Sequence, residues 1–185
     1  MDYVIDSVDS SGVIKVQEDI VHIYRLAFEA APYFKSEAEV TSFRQSLSRH
    51  KKRSGFHLLT ARDLKTAQYV GFTYGYNGQA GQWWHDIVVK AMGPRTAAIW
   101  MVDNFELVEL AVLPAYQGYG IGGTLHDRLL IEQTHPKAVL STLQSETAAL
   151  QLYRKRGWKT LLSGLRFPSS NRVYLILGID LTKKL

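Results

Sequence analysis

Four glycines fall within six residues at Gly118-Tyr119-Gly120-Ile121-Gly122-Gly123. The run before them, Leu110-Ala111-Val112-Leu113, reads as a strand, and Leu125, Leu129 and Leu130 after them recur at helical spacing. Glycine at a helix start costs roughly 0.5–1 kcal/mol relative to alanine, so a cluster this dense needs a stronger reason than turning a corner. A strand feeding a glycine turn that opens into a helix sets an α/β unit. It also brings bare backbone N–H groups and the positive end of a helix to one place. Such a place is an anion site, most often for phosphate.

The cluster literally satisfies G-x-G-x-x-G, the dinucleotide fingerprint. That fingerprint needs its first glycine directly after the strand, yet Pro114-Ala115-Tyr116-Gln117 intervenes. It also needs an acidic residue roughly 20 positions on, at the end of the next strand; that strand ends at Ser141-Thr142. A Walker-type GK[ST] sequence is absent, so a nucleotide triphosphatase has no support either.

The length of 185 residues suits one domain spanning 1–185 with a substantial core. The chain has no cysteine, which excludes disulfides, thiolate metal sites and cysteine nucleophiles. Six histidines are scattered without ligand spacing, so no metal is expected. Asp2, Asp6 and Asp9 near the start argue against a signal peptide, and no apolar run suggests a membrane span. A soluble cytoplasmic protein is expected. The net charge of +5 raises nucleic acid as a partner. The densest basic run, Arg49-His50-Lys51-Lys52-Arg53, has no interleaved aromatic platform and is expected to be a solvated helix end before Ser54-Gly55. No nucleic-acid partner is expected.

Along the chain, Tyr3 to Val8 reads as a strand and Val16 to Ala30 as a helix, followed by Pro32. A second helix spans Glu37 to Arg49, with Ser36 and Glu39 spaced as a capping box. Strands are expected at Phe56 to Arg62, Gln68 to Tyr76, Phe105 to Leu113, Ala138 to Thr142, Trp158 to Leu162 and Val173 to Leu181. Helices are expected at Thr124 to Gln133 and Thr147 to Arg156. Residues 82–101 read as a helical insert, with Trp83, Trp84, Ile87, Val88 and Ala91 on one face and His85 beside a possible acceptor pocket. The class is α/β.

Read from Gln117, the glycine run becomes Q/R-x-x-G-x-G/A, met as Gln117-Gly118-Tyr119-Gly120-Ile121-Gly122. This resembles the acetyl-CoA motif of the GCN5-related N-acetyltransferase (GNAT) family. Glu109-Leu110-Ala111-Val112-Leu113-Pro114 before it is similar to that family, as is Ala149-Leu150-Gln151-Leu152-Tyr153-Arg154-Lys155-Arg156-Gly157-Trp158 after it. The match is specific over Phe105 to Trp158. The resemblance implies a mixed, mostly antiparallel sheet of about seven strands, splayed at the cofactor site and flanked by about four helices. Where many members have asparagine, this chain has Glu146, three residues before Ala149.

The resemblance further implies an acyl-CoA-dependent N-acyltransferase moving acetyl from acetyl-CoA to a primary amine on a small molecule or peptide, with a homodimer common in the family. Pantetheine would pair with the backbone of Leu110, Ala111 and Val112. The pyrophosphate would lie on the turn comprising Gln117, Gly118, Tyr119, Gly120, Ile121, Gly122, Gly123 and Thr124. Arg154, Lys155 or Arg156 would reach the CoA phosphates. Tyr153 takes the acid role, and Glu109 or Glu106 that of the base. The two lie three apart and face opposite sides of a regular strand. Glu109 interrupts an apolar run and is preferred, because a buried charge needs a task or a partner; Glu106, near the strand start, is expected to face solvent. A CoA-binding regulatory module without turnover is the alternative.

Overall fold

A computed structural model describes residues 2–168 and 170–182. Seven strands are present: β1 (Tyr3–Val8), β2 (His57–Asp63), β3 (Tyr69–Gly78), β4 (Asn104–Val112), β5 (Lys137–Leu143), β6 (Lys159–Leu165) and β7 (Tyr174–Asp180). The helices are α1 (Val13–Phe28), α2 (Glu37–His50), α3 (Trp83–Met92), α4 (Pro94–Trp100), α5 (Ile121–Ile131) and α6 (Ala148–Lys155). The strands form one sheet in the order β1-β2-β3-β4-β5-β7-β6. β1–β2, β2–β3, β5–β7 and β6–β7 are antiparallel, and β4–β5 is parallel over Asn104↔Lys137 to Glu106↔Val139. This is the mixed, mostly antiparallel α/β class expected.

The chain divides into two compact units, residues 1–76 with 108–132, and residues 77–107 with 133–185. In the first, strand alternation sends neighbouring residues of β3 to opposite faces. Phe72 meets Phe43 of α2 at 5.9 Å between ring centroids, and Phe43 stacks on Tyr24 of α1 at 3.9 Å. Gly71 faces the other way: a Cβ there would lie 3.2 Å from Leu125 of α5. The helices α1 and α2 therefore cover one face of β3 and α5 the other. The predicted capping box starts α2, with Glu39 N donating to Ser36 Oγ and Ser36 N to Glu39 Oε2.

In the second unit, α3 and α4 pack against β5, β6 and β7 around Val88, Ala97, Met101, Val139, Phe167 and Ile176. The insert is thus half of a core. Its inward face differs from the expected one. Val88 and His85 are buried, whereas Trp83 is 55 % exposed, with its ring 5.6 Å from Phe167. Trp84 lies between these extremes and donates from Nε1 to Ser141 Oγ at 3.1 Å. His85 is held within the insert: a carbonyl only accepts, so Nε2–H donates to Met101 O at 3.1 Å.

A close fit in this unit is at Gly178, where a Cβ would come within 2.6 Å of the Trp100 ring and 2.7 Å of Leu161. Gly178→Ala must displace the indole. It is expected to lower stability by about 1–3 kcal/mol, read as a fall in the thermal midpoint and a blue or red shift in tryptophan emission.

Candidate active site

The glycine turn begins with a single 3-10 turn, Pro114–Tyr116, and α5 starts at Ile121, three residues before the expected Thr124. Gly122 and Gly123 therefore sit inside the first helical turn. Gly118 and Gly120 are different: both have φ +83°, the left-handed region, and a Cβ on either would meet nothing within 4 Å. The backbone there is open to an approaching group. Gly120 is the N-cap of α5, no side chain caps the helix, and its first turn holds no acidic residue. The end of α5 thus presents uncapped N–H groups and the positive dipole end with no internal anion to satisfy them.

Side chains around the turn build it. Gln117 Nε2 donates to Val112 O at 3.0 Å, tying the turn to the end of β4. Thr124 Oγ1 donates to Gly120 O at 3.3 Å and lies 2.8 Å from Tyr3 OH. Ala111, Val112 and Ile121 are buried, so they present only backbone to a ligand; Tyr119 is exposed.

On β4, Leu113 N donates to Val70 O at 2.8 Å, and Thr73 Oγ1 donates to Glu109 O at 2.9 Å. Gly71 lies against Val112. Continued at that register, Tyr74 falls opposite Glu109. Glu109 is partly buried, and desolvation pushes its carboxyl up from 4.5 to about 7, against the opposing pull of the Lys35 ammonium. Lys35 itself is held by Glu39 at 2.9 Å, so the capping box of α2 also steadies the cation that acts on Glu109. A carboxyl poised near neutrality, directly before Leu110–Val112, can take a proton at physiological pH.

Glu106 does not face solvent as expected. It is 3 % exposed, in the part of β4 that pairs with β5. Alternation within a half-buried strand would allow an outward residue; here both faces are covered. Tyr153 is buried on α6, its ring edge-on to Trp158 at 5.6 Å. Thr147 Oγ1 caps α6 by accepting from Leu150 N. Arg154 Nη1 donates to Glu146 Oε1 at 2.5 Å, so the residue standing in place of asparagine holds the first of the three basic candidates. Among the described residues no cluster of three His, Asp or Glu is arranged to hold a metal.

Sequence reasoning missed the inward turn of the basic run. His50 Nδ1 lies 3.1 Å from Tyr74 OH, and Arg53 Cζ lies 4.4 Å above the Tyr76 ring. Burial, with Arg53 and Arg49 nearby, pushes His50 down to about 3, so it is neutral at pH 7. The available signal was the alternation of Phe72, Tyr74 and Tyr76 in β3, which announced an aromatic face for α2 to cover.

The raised Glu109 carboxyl has a consequence for stability. Between about 4.5 and about 7 the folded chain binds more protons at this site than the unfolded chain. Stability therefore falls as pH rises through that window. Glu109→Gln is expected to flatten this slope and to melt higher than the parent at pH 8, by about 1–3 kcal/mol, as followed by calorimetry across pH.

Residues 54–160 match the family described as acetyltransferase (GNAT) domain. The GCN5-like protein acetyltransferase Rv2170 of Mycobacterium tuberculosis is 34% identical over 165 residues, covering 85% of this chain and 76% of that protein. Two solved structures share the fold. One is a GNAT-family acetyltransferase from Desulfovibrio desulfuricans (TM-score 0.69, 11% identity, 97% of this chain and 99% of that one). The other is the PaiA N-acetyltransferase of Thermoplasma acidophilum, solved with coenzyme A (TM-score 0.60, 14% identity, 97% and 99%). The glycine turn, the strand before it and the Tyr153 segment are thus parts of one known architecture, and the chain belongs to the GNAT acetyltransferase family.

Proposed function

We propose that this protein transfers acetyl from acetyl-CoA to a primary amine in a ternary complex, with Glu109 as the base. The observation that carries the reading is the Glu109 carboxyl, raised to about 7 directly before the strand segment Leu110–Val112. The uncapped N-terminus of α5 and the open backbone at Gly118 and Gly120 suit the pyrophosphate of CoA. The backbone of Leu110 to Val112 suits the amides of pantetheine. Acetyl-CoA supplies an activated thioester. A peptide or protein amine is a supported acceptor, since the Mycobacterium tuberculosis relative is named a protein acetyltransferase.

An ammonium has no lone pair, so Glu109 first takes a proton from it, directly or through one water. The freed nitrogen then adds to the thioester carbonyl carbon; it sheds its second proton to water as the tetrahedral adduct collapses, the C–S bond breaks and the amide forms. Tyr153, assigned by its motif position, gives its phenolic proton to the departing thiolate and is reprotonated from solvent. Glu106 is the second base candidate; its burial makes it a costly place for a charge without a role.

Release of free CoA thiol in the presence of an amine panel tests the reading. Glu109→Gln is expected to lower kcat/KM by roughly 10²–10⁴-fold and to remove the rising limb of activity centred near pH 7. Unchanged rate and pH profile in both Glu109→Gln and Glu106→Gln would remove both as bases. CoA binding without release of thiol from acetyl-CoA would leave the regulatory module. Gly120→Ala, which forces alanine into left-handed backbone at about 1–2 kcal/mol, is expected to weaken CoA binding about tenfold with little change in kcat, measured by calorimetric titration of CoA.

A further inference from the structure

We propose that Arg53, flanked by His50 and Tyr76, forms a subsite for a carboxylate carried by the amine acceptor. The inference specifies the acceptor of the acetyl transfer proposed above and rests on that reading.

The geometry begins at the C-terminal end of α2. Arg53 N donates to His50 O at 2.9 Å, so the backbone after the helix turns back toward β3. The guanidinium then lies over Tyr76, its Cζ 4.4 Å from the ring centroid. That position over the ring removes much of the side chain's rotamer freedom. Arg53 Nη1 is buried and has no hydrogen-bond partner among the described residues. A charged donor left without an acceptor costs more than a neutral one. The His50 ring lies 5.0 Å from Tyr76 and His50 Nδ1 3.1 Å from Tyr74 OH. The same cation helps to keep His50 neutral.

The tyrosines place this cation relative to the chemistry. Tyr74 and Tyr76 are two apart on β3 and share a face. Thr73, next to Tyr74, bonds the Glu109 backbone at 2.9 Å, and Lys35 at the start of α2 acts on the Glu109 carboxyl, which places that carboxyl on the α2 face of the sheet. Arg53 thus stands on the face from which Glu109 would meet an amine. The glycine turn and α5 belong to the opposite face of β3, as the packing of Gly71 on Leu125 requires. The phosphates of CoA are therefore not the anion that Arg53 awaits. Arg53 and His50 each keep part of their surface exposed, while Nη1 itself is covered. A planar guanidinium fixed by an aromatic ring suits a carboxylate, which it can bind through two parallel N–H bonds.

The test pairs acceptors that differ only in the carboxylate. 6-Aminohexanoate and hexylamine carry the same primary amine, one with a carboxylate and one with a methyl group at the far end. Peptides with lysine next to glutamate or glutamine give the same contrast in a chain. The parent is expected to favour the carboxylate member of the operative pair by roughly 10- to 100-fold in kcat/KM, carried in KM. Which pair shows the preference separates a small acid from a peptide. Arg53→Gln brings the ratio toward unity; Arg53→Lys, which keeps the charge and loses the fork, falls between. If Arg53→Gln does not fold, the lysine variant carries the test. Calorimetric titration of 6-aminohexanoate and the peptides needs no turnover. Carboxylate-dependent binding that Arg53→Gln loses would stand even if no amine were acetylated, whereas turnover with equal kcat/KM in both pairs would overturn the subsite alone. A rise in KM for acetyl-CoA in Arg53→Gln, with the acceptor ratio unchanged, would overturn it too.

Discussion

The face-to-face stack of Tyr24 on Phe43, continued to Phe72, decides the geometry of the first unit. It fixes α2 along β3, and from the two ends of α2 come the charges that matter. At the N-terminal end, Lys35 is held by Glu39 and sets the electrostatic opposition to Glu109. At the C-terminal end, His50 and Arg53 are delivered onto Tyr74 and Tyr76. Aromatic pairs of this kind add about 0.5–1.5 kcal/mol beyond the area they bury. Their larger effect is positional, because a helix anchored at its middle by a flat stack cannot rotate without unmaking it.

Glu109 stands between two opposing terms. Desolvation favours the neutral acid, and the Lys35 charge favours the carboxylate. The balance falls near pH 7, where an acid–base group exchanges protons with least penalty in either direction. The same balance is a stability cost, since ionised Glu109 is less welcome in the fold than in water. The position keeps a destabilising residue for a reason other than folding, a pattern common at active sites.

The parts legible in the sequence were those set by neighbours along the chain. The capping box at Ser36 and Glu39 could be read because both partners lie within four residues. The glycine turn, the strand before it and the helix expected over Thr147 to Arg156 were equally local. What escaped needed distant partners. The basic run at 49–53 read as a solvated helix end; two of its members turn inward because β3 supplies aromatic rings more than twenty residues later. Glu106 read as exposed because strand alternation does not say whether a second layer covers the outer face. Trp83 read as part of one apolar helical face, but a helical stripe does not reveal its limits, and the insert's buried centre lies at His85 and Val88. The start of α5 was placed too late because glycine's low helix propensity argues for a turn.

Gln117 changes the meaning of one letter in the family motif. Its position admits glutamine or arginine, residues that differ by a full charge. If the position served phosphate directly, that difference would weigh heavily. Here Gln117 spends its amide on the Val112 carbonyl, five residues back. Both residue types carry an N–H at the end of a side chain, and a backbone carbonyl accepts from either. The requirement at this position is then a donor that closes a small ring between strand and turn, and the charge is incidental to it.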